Sequence, residues 1–65
     1  MERVPVLLWR SGAMECAVIH HWPAQSYEIQ VLEHGLVIER WLFVTNEEAA
    51  AFASACWRNV QDEPD

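Results

Sequence analysis

Thr45-Asn46-Glu47-Glu48-Ala49 divides this chain into two segments of different periodicity. Upstream, apolar residues alternate or cluster in short runs rich in branched and aromatic side chains, the pattern of strands. Downstream, they recur at helical spacing. Thr45 followed three residues later by Glu48 matches the capping box, in which hydroxyl and carboxylate satisfy amides that the first helical turn leaves unpaired. The stretch therefore predicts a helix start, with strands before it and one helix after it.

Working forward, Ala49, Phe52, Ala53, Cys56, Trp57 and Val60 fall on one helical face. That face is expected to pack on a sheet, with Phe52 and Trp57 as its bulky anchors. Ala50, Ala51, Ser54 and Ala55 make the other face small rather than charged. Alanine's helix propensity accounts for this, and close approach of a second helix is the alternative.

Working backward, four strands are expected over residues 4–10, 13–22, 27–33 and 36–43. Ser11-Gly12, Pro23-Ala24-Gln25-Ser26 and His34-Gly35 supply the turns between them. Pro5 cannot donate to a ladder, so the first strand should start late or lie at an edge. The resulting fold is α+β: a four-stranded antiparallel meander sheet with one C-terminal helix on one face (β-β-β-β-α). Residues 1–60 form a single domain in this reading, and 61–65 an acidic disordered tail.

A two-residue loop at His34-Gly35 places Val31 opposite Ile38, Ile29 opposite Arg40 and Tyr27 opposite Leu42 on the inner face. The outer face then carries Leu32 with Val37, Gln30 with Glu39 and Glu28 with Trp41. A four-residue loop at Pro23 to Ser26 sets Val18 opposite Val31 and His20 opposite Ile29, keeping Met14, Cys16 and Val18 inside. Arg40 disagrees with this scheme. An inward arginine needs a paired carboxylate, a route for its head group off the sheet edge, or a bulge after Ile38 that turns it outward; a structural salt bridge is expected, with an anion-binding role as the alternative.

Composition narrows the function classes. The chain has 65 residues, ten of them acidic, and four arginines without a lysine, for a net charge of −6. Phosphate backbones and anionic lipid surfaces are bound by basic clusters, so neither nucleic acid nor membrane is an expected partner. No apolar run approaches the roughly 20 residues of a spanning helix. The start lacks the pattern of a secretory signal, which predicts a cytoplasmic protein with Cys16 and Cys56 as reduced core thiols rather than a disulfide.

No motif for chemistry emerges. His20, His21, His34, Cys16 and Cys56 lack the short-spaced pairs of a zinc site, and the adjacent His20 and His21 point to opposite faces of a strand. No metal and no cofactor are expected. His21 beside Glu28 has no nucleophile near it, because Ser11 and Ser26 sit in turns and Ser54 on the helix. The pair reads as an exposed ion pair, and the chain is not expected to be an enzyme.

What remains is a surface. One helix covers one side of the sheet, while Val6, Leu8, Ala17, Ile19, Leu32, Val37 and Trp41 are expected on the other. A contiguous apolar patch of that kind marks an interface. The sequence therefore predicts a small interaction module that forms a homodimer or binds another protein through Ile19, Leu32, Val37 and Trp41. Two alternatives stand beside it: a ligand or enzymatic pocket near His20, Trp22 and Arg40, and single-stranded nucleic acid stacked on Trp22 and Trp41.

Overall fold

The computed structural model describes residues 4–23 and 25–62. Four strands, β1 (Val6–Ser11), β2 (Met14–His21), β3 (Ser26–Glu33) and β4 (Leu36–Phe43), precede one helix, α1 (Asn46–Asp62). They form one antiparallel sheet in the order β1-β2-β3-β4, the meander that the periodicity predicts. Tight turns enforce this order. Gly12 takes φ 60° in the first turn, and His34 and Gly35 take 53° and 81° in the third. Two successive positive φ values are what a type I′ hairpin requires. The two turns share one end of the sheet, where the His34 amide donates to the Ala13 carbonyl at 2.9 Å.

Thr45 starts the helix as its sequence context predicts. Its hydroxyl oxygen accepts from the Glu48 amide at 3.1 Å, and the hydroxyl in turn donates to the Glu48 carboxylate at 3.3 Å. At the other end Gln61 is still helical and donates to the Ser11 hydroxyl at 3.2 Å. Of the expected tail, Gln61 and Asp62 belong to the helix, and residues 63–65 lie outside the described residues. An established helix adds residues at little cost, and nothing before Pro64 breaks it.

The core lies between helix and sheet. Cys16, Ile29, Ala49 and Ala53 are buried together, with Trp9, Val18, Tyr27, Phe43 and Phe52 packed around them. Ala49 and Ala53 carry only methyl groups, so the helix backbone comes close to the strands. Trp9 uses that closeness, donating its indole N–H to the Ala53 carbonyl at 3.0 Å and meeting the Trp57 ring edge-on at 5.4 Å.

The inter-strand registers correct the sequence reading in three places. Between β2 and β3, Val18 opposes Ile29 and His20 opposes Tyr27, a shift of two residues that leaves Met14, Cys16 and Val18 facing inward as expected. In β4 the pairing Leu32–Val37 holds, but Ile38 is then left unpaired as a bulge. Beyond it Val31 meets Glu39, Ile29 meets Trp41 and Tyr27 meets Phe43. One extra residue reverses every later side chain, because the pleat has period two. Arg40 and Leu42 therefore face outward, and Trp41 faces the helix. A matching bulge at Leu8 lets β1 present Leu7 opposite Ala17 and Val6 opposite Val18, so Val6 is inside rather than outside.

Candidate interaction surface

The outer face of the sheet is built from alternate residues of all four strands. Leu7, Ala17, Gln30 and Arg40 form one cross-strand row, Ile19, Glu28 and Leu42 the next, and Arg10, Glu15, Leu32 and Val37 a third. Glu28 is the electrostatic centre. One carboxylate oxygen lies 2.8 Å from His21 Nε2, and the other accepts from Gln30 at 2.8 Å and lies 3.7 Å from Arg40 Nε. The hydrogen bonds from Gln30 and His21, with the charges of His21 and Arg40, hold the Glu28 carboxyl below its ordinary value against an opposing effect of burial. Arg10 and Glu15 pair separately, with Nε donating to the carboxylate at 2.8 Å. His21 and Glu28 meet as expected, although diagonally: His21 opposes Ser26 and Glu28 opposes Ile19.

Three of the four predicted contact residues share this face. Ile19 and Leu32 are half-buried and Val37 is exposed. Trp41 does not join them, because the Ile38 bulge turns it to the helix side. There its ring packs at 5.4 Å from Phe52 and its N–H donates to Glu39 at 3.1 Å. It still leaves nearly half its surface in solvent. The sequence reading missed Leu7 and Leu42, both of which point outward and are largely exposed. The clue was the mismatch at Arg40, since the same bulge that expels an arginine also expels Leu42.

Exposed apolar surface runs along both edge strands, on Val6, Leu7 and Leu8 of β1 and on β4 with the residue after it. Leu36, Leu42 and Val44 are 71%, 69% and 77% exposed, and Ile38 and Trp41 about half. In this run only Glu39 and Arg40 are charged. β4 is an edge strand, so every second residue also presents an amide and a carbonyl that no neighbouring strand uses.

Of the three residues expected around a pocket, the structure brings two together. His20 stacks on Tyr27 at 4.5 Å and lies 6.2 Å from the Trp22 ring, but Arg40 points to the opposite face of the sheet. A shallow apolar cavity of about 360 Å³ opens at the other edge, between Leu8 and Trp9 of β1 and Ala50, Ala53, Ser54 and Trp57 of the helix. Among the described residues no group of three or more His, Cys, Asp or Glu side chains converges as metal ligands would. Likewise, no described helix is long and apolar enough to cross a membrane.

Both cysteines are free thiols. Cys16 is fully buried, and burial together with the neighbouring Cys56 pushes its pKa up to about 11. Cys56 is half-buried, and burial and the Glu39 carboxylate push it up as well. Neither has the electropositive, accessible surroundings of a reactive cysteine.

Comparison with known proteins adds no precedent to this geometry. No protein-family model matches the chain, and no curated protein or solved structure matches it either.

Proposed function

We propose that this chain is a protein-interaction module that acts by association rather than by chemistry. It self-associates or binds a protein partner through the uncovered side of its sheet, where Ile19, Leu32 and Val37 are joined by Leu7 and Leu42. A single observation carries the reading: the helix covers one face only, and large apolar side chains remain in water on the outer face and along β4. The acidic balance favours protein over nucleic acid or lipid as the partner. Two cysteines that are not joined in a disulfide fit a reducing, cytoplasmic compartment. Sedimentation equilibrium across the micromolar range tests the reading. An average mass that climbs with concentration, and falls back in Leu7→Glu or Val37→Glu, supports it. A strict monomer that also captures no protein from cell extract overturns it.

The cavity at the β1 edge favours a second reading, in which a small apolar ligand docks against Trp9 and Trp57. Tryptophan emission would shift on titration with a hydrophobic probe such as anilinonaphthalene sulfonate. That shift should vanish in Ala50→Leu, which fills the cavity.

A further inference from the structure

The two edges of the sheet are not equivalent. β1 has six residues, follows Pro5 and carries its bulge at Leu8, in the middle of the strand. Proline, shortness and a central bulge are the devices by which natural edges avoid pairing. β4 has eight residues without proline or lysine; its bulge at Ile38 lies near its start, followed by Glu39 as its inward-facing charge opposite Val31. Glu39 to Phe43 is regular strand with one side unpaired.

We propose that β4 pairs antiparallel with β4 of a second copy of this chain, giving a continuous eight-stranded sheet with both helices on one side. The proposal rests on the interaction-module reading for self-association alone and places the contact on the β4 edge rather than on the outer face, so Leu7→Glu, on the opposite edge strand, should leave this dimer intact. Face matching, charge and strand length fix the register of such a pair. A two-fold axis perpendicular to the sheet keeps inner faces together only if the two paired residue numbers sum to an even value. Centring the axis on Glu39 or on Arg40 sets identical charges directly opposite each other, which is unfavourable. Centring it on Trp41 opposes Glu39 to Phe43, Arg40 to Leu42 and Trp41 to its own copy, with no like charges opposed. That register also uses the whole regular segment, since Trp41 is the midpoint between Glu39 and Phe43. A centre on Leu42 would run the pairing past the end of the strand.

The register makes an unusual demand on substitutions. Leu42→Glu places a carboxylate opposite Arg40 of the second copy, twice per dimer, and opposite Glu28 of its own sheet in monomer and dimer alike, so folding should weaken while the dimer persists and tightens at low salt. Arg40→Glu combined with Leu42→Glu opposes like charges twice and should weaken the dimer at least about tenfold. Sedimentation equilibrium reads both variants, with circular dichroism showing that each remains folded. As a second measurement independent of those variants, Trp41→Cys in a Cys16→Ala/Cys56→Ala background should cross-link to itself under mild oxidation, while Arg40→Cys should not. A dimer that Leu42→Glu dissociates and that Trp41→Cys fails to trap overturns edge pairing while leaving association through the outer face in place. A monomer throughout the micromolar range overturns edge pairing, and if the chain also captures no protein, the broader reading falls with it.

Discussion

Two side chains show how the fold sets local chemistry. Cys16 is an ordinary thiol in the sequence, but helix packing above it raises its pKa to about 11. At pH 8 only roughly one molecule in a thousand carries the reactive thiolate, and the sulfur is also shielded from reagent. A thiol-labelling time course on native protein should therefore leave Cys16 unmodified long after Cys56 reacts, and urea should abolish the difference. Rapid native labelling of Cys16 would show β2 facing the other way. Glu28 moves in the opposite direction. Its folded pKa lies below the ordinary value of 4.5, so its stabilisation is present above that value and is lost as pH falls through the folded one. Urea midpoints should fall between pH 5 and pH 3, and the Glu28→Gln profile should be flatter over the same interval.

At the scale of elements, the helix was legible because its signals are local. Thr45 and Glu48 mark its start within one turn, and the apolar stripe from Ala49 to Val60 marks its buried face. Thr45→Ala removes the acceptor for the Glu48 amide and should cost about 1 kcal/mol by urea denaturation, within the 0.5–2 kcal/mol of capping substitutions. The strands were legible in number and order, since the turn residues at Gly12 and His34-Gly35 are equally local. Their faces were only partly legible. Bulges at Leu8 and Ile38 each interrupt the alternation by one residue, and a bulge depends on the partner strand as much as on its own. In β4 the consequence was an exchange: Trp41 went to the helix side, where Phe52 receives it, and Arg40 went out to Glu28.

For the whole molecule, the thin core is the governing fact. One helix lies on one four-stranded sheet, and the buried cluster at its centre holds Cys16, Ile29 and two alanines. A domain of this size has little apolar burial to set against chain entropy, and association is one of the few ways to add more. If the second copy supplies it, stability is linked to concentration by mass action. The thermal midpoint of the parent chain should rise with protein concentration, and that of Arg40→Glu/Leu42→Glu should not. Scanning calorimetry at two concentrations at least tenfold apart reads both.

By itself the sequence determined the succession of four strands and a helix, the cap at Thr45, the tight turns and the inward placement of Cys16. Each follows from residues within a few positions of one another, where backbone preferences and periodicity act. Only the tertiary structure decided which side of the sheet receives Val6, Arg40, Trp41 and Leu42. A bulge is a contest between continuing the pleat and satisfying side chains brought in by another strand and the helix. Arg40 cannot stay beneath Phe52 and the alanine stripe without a partner for its charge, whereas Trp41 can, and Glu28 waits on the other face. That choice joins residues from two strands and the helix, so no single stretch of the chain contains it.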